Sequence, residues 1–226
     1  GGNLIPGGAP DFKEDDLALA DWYQTILTKW KVPIHMNTEV TKEDVLKGGY
    51  DAVIVATGST PKMFPLGDDD RVFSAADVLT GQKDPGKSVV VVGGGLVGCE
   101  TALYLAEQGR KVTIVEALDS LLALNGPLCH ANKDMLLALI PFKGIEAITG
   151  ARVTGYHGGE LSAEVGGETK KIACDSVILS VGYRENNALY KELEFEVPEI
   201  YLLGDAKKVA NIMYGIWDAY EVANHI

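Results

Sequence analysis

Six consecutive residues, Gly93, Gly94, Gly95, Leu96, Val97 and Gly98, spell G-x-G-x-x-G, and Glu116 follows 18 residues after Gly98. That spacing suits a dinucleotide, provided the glycines leave a strand and open a helix. Gly93 then permits the tight turn, and Gly95 has no Cβ to keep a diphosphate from the backbone. Gly98 lets the helix lie close to the strand. Free amides and a partial positive charge at the helix N-terminus meet the phosphates. Glu116 would accept hydrogen bonds from ribose hydroxyls. A 2′-phosphate would face that carboxylate, and Ala117, Leu118 and Asp119 supply no cation. NADH is therefore favoured over NADPH.

The elements needed around this motif are legible. Ser88–Val92 (SVVVV) is a short apolar run that predicts a buried strand. Leu96–Gln108 predicts a helix closed by Gly109, and Lys111–Val115 the next strand. Strand, glycine turn, helix and strand fill about thirty residues, one βαβ unit. Ala131–Ile140 predicts another helix, ended by Pro141. Ile145–Ala173 alternates β-prone pieces with Gly155, Gly158-Gly159 and Gly166-Gly167, which predicts an antiparallel meander. Asp175–Val181 and Asp51–Thr57 read as further strands buried on both faces, and Glu199–Leu203 as another. Two of these runs end in glycine-containing turns, Ala56-Thr57-Gly58 and Gly204-Asp205. Strand ends of this kind open onto the ligand crevice of an α/β sheet, where Asp205 could take a sugar-like hydroxyl. Elsewhere, Gly1–Pro10 reads as loop, Asp16–Lys31 as a helix stopped by Pro33, and Ile34–Met36 as a short strand. Thr41–Lys47 reads as a capped helical turn, Ala75–Leu79 as a short helix, and Asn211–Asn224 as a closing helix. Thr80–Lys87, rich in Gly, Pro and charge, is a candidate boundary.

The bulk numbers narrow the partners. The chain has 226 residues, 46% of them hydrophobic and 23% charged, enough to bury an ordinary core. A net charge of −12 disfavours nucleic acid and anionic membranes. No apolar run reaches the length of a membrane span and no signal peptide is visible, so a cytoplasmic location is expected. Cys99, Cys129 and Cys174 are too few and too dispersed for a disulfide framework or a CxxC pair, and read as inert thiols. His35, His130, His157 and His225 are scattered, and no metal site is expected. No catalytic side chain is assigned.

The order of motifs resembles the C-terminal reductase part of the NADH:flavin oxidoreductases related to 2,4-dienoyl-CoA reductase, 2-enoate reductase and trimethylamine dehydrogenase. The matching pieces are Gly1-Gly2-Asn3-Leu4, DAVIVATGSTP at 51–61, VVVVGGGLVGCETALYLAEQG at 89–109, VTIVEA at 112–117, SVILSVGYREN at 176–186 and IYLLGDA at 200–206. The resemblance implies an α/β fold: a Rossmann-like NAD(H)-binding domain at 87–186, with a central parallel sheet and a β-meander, inserted into a partial FAD-binding-type domain at 1–86 and 187–226. It implies nucleotide contacts along 93–98 and at Glu116, Ala117 and Gly182. It also puts Gly1-Gly2 near the flavin, makes Ala56-Thr57-Gly58 the strand end leading to the NAD domain, and brings Gly204-Asp205 to the ribityl and pyrophosphate of FAD.

In that family a first βαβ unit with its own FAD fingerprint would precede Gly1. A barrel carrying FMN and a cysteine cluster for a 4Fe–4S centre would lie outside this chain. With no initiator Met, the chain reads as an excised or processed piece, whose partners are NADH and the remainder of the same polypeptide. Homo-oligomerisation is left open. The leading expectation is an NADH-binding reductase portion that passes hydride to FAD for reduction of an enoate or dienoyl-type substrate in the full-length protein. The alternatives are a stand-alone NADH-dependent flavin reductase of the ferredoxin reductase type, or a non-catalytic nucleotide-sensing module.

Overall fold

A computed structural model describes residues 2–123 and 128–226. Gly1, expected near a flavin, lies outside the described residues. The chain forms two compact units: Asn3–Asp21 with Pro61–Gly182, and Trp22–Thr60 with Tyr183–Ile226.

The first unit is built on a five-stranded, wholly parallel sheet. Its strands lie in the spatial order Val72–Ser74, Ser176–Leu179, Ser88–Val92, Lys111–Val115, Glu146–Ile148. The β-branched residues of SVVVV and KVTIV favour the pleated conformation, and alternate side chains point to opposite faces. One face presents Val89, Val91, Val112, Ile114 and Ile178 to Cys99, Ala102, Leu103 and Leu105 of the helix Leu96–Glu107 and to Leu136 and Ile140 of the helix His130–Phe142. The other presents Val90, Val92, Val115, Val177 and Leu179 to Tyr156, Leu161 and Ala163 of an antiparallel meander. Both faces are covered, so the apolar runs are continuous rather than alternating.

The meander consists of Ala151–His157, Glu160–Val165 and Glu168–Ala173. Its two hairpins turn on Gly158-Gly159 and Gly166-Gly167, all four with positive φ, as tight two-residue turns require. The meander is shorter than expected. Glu146–Ile148 instead pairs in parallel with Lys111–Val115, because the helix His130–Phe142 returns the chain to the sheet as a second strand–helix–strand crossover. Pro141 sits in the last turn of that helix rather than after it.

The units divide the chain differently from the sequence boundaries at 86/87 and 186/187. Residues 61–86 join the first unit because Val72–Ser74 is hydrogen-bonded into its sheet and Ala75, Val78 and Leu79 enter its core. Residues 3–21 also join it. There the Lys13 ammonium lies 3.2 Å from the half-buried Glu100 carboxylate, whose pKa is pushed up by burial against the opposing pull of Lys13.

The second unit has a small core. Val53–Val55 pairs in parallel with Ile200–Leu202, and Ser59–Pro61 pairs with Tyr183–Glu185. The helix Lys42–Gly48 carries a full capping box between Thr41 and Asp44, as the sequence predicts. The helix Ile212–Ala223 is capped by Asn211, whose side-chain oxygen accepts from the Tyr214 amide at 3.2 Å. Three expectations fail in or near this unit. Val53–Val55 is not covered on both faces, since Ile54 is 46% exposed. Ile34–Met36 is exposed chain with no strand partner. Residues 4–7 form a short helical turn where loop was expected.

Candidate functional site

The strands Ser176–Leu179, Ser88–Val92 and Lys111–Val115 end level with one another, for Val92 is in register with both Leu179 and Val115. Ser180, Gly93 and Glu116 are therefore the next residues of three adjacent strands, along one rim. From Ser88–Val92 the chain goes first to one neighbour and only later to the other. The rim at Gly93 is thus the point where strand order reverses, the place at which open α/β sheets bind ligands.

The glycines there are required by the backbone. Gly93 has φ +106, and a Cβ on it would overlap the carbonyl oxygen of Ser180. A Cβ on Gly98 would overlap the carbonyl oxygen of Gly93 itself. A Cβ on Gly94 would overlap the Leu121 side chain. Strand and helix thus approach as closely as backbone permits. Gly95 is the N-cap of Leu96–Glu107 and has no side chain to cap it, and the first turn carries no acidic residue. Thr41, Ser74 and Asn211, by contrast, cap their own helices. The first-turn amides at 96–98 stay without a side-chain acceptor, a ready anion site. Val97 is exposed beside them, on a helix whose other apolar residues are mostly buried.

Glu116 is tied into the turn. One carboxylate oxygen accepts from the Gly94 amide, and the other from the Leu118 amide at 2.8 Å. Gly94 is held a second way, its carbonyl accepting from the Leu122 amide at 2.8 Å. A carboxylate has about four acceptor positions, so two remain for hydroxyl donors. Ala117 follows Glu116 at the same rim. Gly182, with φ +93, lies two residues beyond Ser180, and its carbonyl accepts from the Lys62 amide at 2.9 Å.

In the second unit the two glycine-ended strands are brought together. Val55 is in register with Leu202, so Ala56-Thr57-Gly58 and Gly204-Asp205 leave neighbouring strands. Asp205 accepts from the Ser59 hydroxyl at 2.8 Å and from the Ala210 amide at 3.1 Å. The Thr57 hydroxyl donates to the carbonyl of Asn186, whose amide donates to Gly58 at 3.0 Å. Sequence reasoning missed Ser180, Leu122, Asn186 and Lys62. The first three act chiefly through backbone groups, which carry no side-chain signal, and Lys62 reaches the rim only through tertiary folding.

The two buried cysteines, Cys99 and Cys174, are poor nucleophiles. Burial pushes the Cys99 thiol up to about 12, with the nearby Glu100 and Glu116 adding to it, and the Cys174 thiol up to about 11. Among the described residues no three His, Cys, Asp or Glu side chains cluster as a metal site would need. No helix among them is long and apolar enough to cross a membrane.

Comparison with known proteins identifies relatives of the chain. The profile of the pyridine nucleotide-disulphide oxidoreductases matches residues 23–217. A cinnamate reductase of Clostridium sporogenes is 46% identical over 226 residues, covering 100% of this chain and 34% of that protein. An NADH oxidase of Thermoanaerobacter brockii is 35% identical over 232 residues, covering 99% of this chain and 35% of its own length. Among solved structures, a 2-naphthoyl-CoA reductase superposes with TM-score 0.91 at 24% identity, over 100% of this chain and 34% of that one. Histamine dehydrogenase from Rhizobium sp. 4-9 does so with TM-score 0.83 at 20% identity, over 100% and 38%. These two share the Rossmann-like fold. The chain spans about a third of the length of the curated relatives it matches.

Proposed function

Because the chain belongs to the pyridine nucleotide-disulphide oxidoreductase family, we propose that it is the nucleotide-binding reductase portion of an NADH-dependent flavin oxidoreductase. The NADH site is the rim Gly93–Gly98 with Glu116, Ala117 and Gly182. The observation that carries this reading is the cradle: side-chain space at Gly93 and Gly98 is filled by backbone, and the helix behind Gly95 opens uncapped toward the crevice. Only a ligand that lies against bare backbone fits such a turn, and a diphosphate does.

Each residue then has a task. The amides at 96–98 hold the diphosphate. Glu116, fixed by Gly94 and Leu118, accepts from the adenosine ribose and opposes a 2′-phosphate. NADH, when bound, supplies a hydride for a flavin, chemistry that belongs to the cofactors rather than to a side chain. In the second unit, Ala56–Gly58 and Gly204-Asp205 form a rim with a fixed carboxylate that suits the hydroxylated chain of FAD in the full-length protein. Residues outside this chain would hold the FAD diphosphate, FMN and a 4Fe–4S centre.

The domain proposal is that 87–186 binds NAD(H), and that 1–60 with 187–226 contributes to an FAD-binding-type domain. Residues 61–86 complete the sheet of the former. The partner of the second unit is the remainder of the same polypeptide, including a barrel domain. An exposed apolar helix at Ile212–Ala223 supports this, because such faces are covered in assembled proteins. The terminal substrate is an enoate or dienoyl-type compound. The 46% identity to a cinnamate reductase supports that class, cinnamate being an enoate.

Calorimetric titration with NADH and NADPH tests the reading. Binding of NADH at least tenfold tighter than NADPH is expected. Equal affinities, or no binding of either, would sink it. Absorbance separates the alternatives. A flavin-loaded full chain bleached by NADH is a reductase, and a chain that binds NADH without any flavin reduction is a sensor.

A further inference from the structure

We infer that Lys62 is a nucleotide-binding residue, a cation for the phosphate on the nicotinamide side of NADH. The inference rests on the nucleotide site proposed above and adds a residue to it.

Three observations converge on Lys62. Its amide donates to the Gly182 carbonyl at 2.9 Å, so its main chain is pinned to the loop that follows Ser176–Leu179. Its ammonium lies 4.0 Å from where a Cβ on Gly182 would stand, and φ +93 at Gly182 favours glycine there. The ammonium therefore rests over bare backbone at the rim. Among the described residues no carboxylate pairs with it, in a chain with 32 acidic and 20 basic residues. Other lysines are engaged: Lys13 with Glu100, Lys143 with Glu107, Lys170 with Glu146.

Position decides which part of the ligand it meets. Glu116 ends the strand on one side of Gly93, and Ser180–Gly182 follows the strand on the other. A dinucleotide crosses the crevice at the switch point. With its adenosine ribose at Glu116, its second phosphate and nicotinamide half run toward Gly182 and Lys62. An ammonium is a compact, strongly hydrated point charge whose preferred partner is an anionic oxygen, and the second phosphate is the anion within that half. Lys62 also offsets, locally, the repulsion of an acidic protein for an anionic cofactor.

The test is affinity for AMP, ADP and NADH in the full chain and its Lys62→Met and Lys62→Arg variants, by calorimetry at two salt concentrations. AMP carries only the adenosine-side phosphate, whereas ADP carries both. Lys62→Met is expected to weaken ADP and NADH about tenfold or more, as loss of a charge-assisted hydrogen bond does, and to flatten their salt dependence. AMP should change less than about twofold, the reference for an untouched subsite. Lys62→Arg should restore most of the loss. Unchanged ADP and NADH affinity in Lys62→Met, or an equal loss for AMP, overturns the assignment. A wild-type chain that binds no nucleotide overturns the proposed function itself, and this residue's role with it.

Discussion

The space a Cβ on Gly98 would need is taken by the carbonyl oxygen of Gly93. The first and last glycines of the motif are thus in mutual contact, and neither can be changed alone. Gly98→Ala must push the helix Leu96–Glu107 off its strand or distort the turn. Overpacking of this kind costs about 1–3 kcal/mol. Urea denaturation should show that loss, and calorimetry should show NADH binding weakened beyond detection. A fully stable Gly98→Ala chain would mean the turn is looser than the contact implies.

Glu116 and Gly94 are joined by a hydrogen bond that serves both the fold and nucleotide choice. Glu116→Ala leaves the amides of Gly94 and Leu118 without their acceptor, at about 1–3 kcal/mol if water does not replace it. It also removes the charge that opposes a 2′-phosphate. NADH should bind more weakly while NADPH gains relative to it, narrowing the preference by about tenfold, or 1.4 kcal/mol. Glu116→Gln separates the two effects, because its amide oxygen can still accept from one backbone N–H. It should retain most of the stability and lose the discrimination. Paired NADH and NADPH titrations of both variants decide it.

The legibility of this chain in its sequence follows burial. SVVVV, KVTIV and DSVIL are buried on both faces in a parallel sheet, so hydrophobicity alone identified them. The G-x-G-x-x-G spacing located the turn because its demands are local. The three-residue strand Glu146–Ile148 was not separable from the meander after it, since partner choice is decided by a helix upstream. Val53–Val55 looked like a core strand yet has Ile54 half-exposed, because burial depends on what packs against it rather than on the run itself. The domain boundary fell at Lys87 in sequence because glycine, proline and charge cluster before it. The chain nevertheless reaches the sheet earlier, at Val72–Ser74. Lys62 and Ser180 were silent, since no local pattern reports that a lysine 120 residues before a glycine will share its rim.

Asp175 offers a test by pH. Its carboxylate accepts from the Ser88 amide at 2.9 Å and the Lys87 amide at 2.7 Å, pinning the start of Ser88–Val92. These backbone bonds hold its pKa below the ordinary aspartate value of 3.8. A group depressed in the folded state contributes stability in full above its unfolded pKa, and loses it as pH falls through the folded one. The contribution is therefore intact at neutral pH and begins to fall below about pH 4, where the unfolded aspartate takes up its proton. In Asp175→Asn the wild-type advantage should be present at pH 7 and shrink steadily toward pH 2.5. Urea midpoints measured across that range give the difference directly. An advantage independent of pH would mean the side chain acts by shape alone.

The helix Ile212–Ala223 makes the last prediction. None of its residues is buried, though Ile212, Met213, Tyr214, Ile216, Trp217 and Tyr220 are all large and apolar, with Trp217 55% and Tyr220 71% exposed. A helix normally has one apolar stripe turned to a core, and here no residue among the described ones buries it. The face should bind an apolar dye such as ANS strongly and promote self-association as concentration rises. Replacing Ile216, Trp217 and Tyr220 by Gln removes exposed area without opening a cavity. Dye fluorescence should fall severalfold while the thermal midpoint moves by less than about 2 °C, because surface changes of this kind cost within about 0.5 kcal/mol. A large drop in the midpoint would show that these side chains are packed in solution, and that the second unit closes on itself more fully than its exposure indicates.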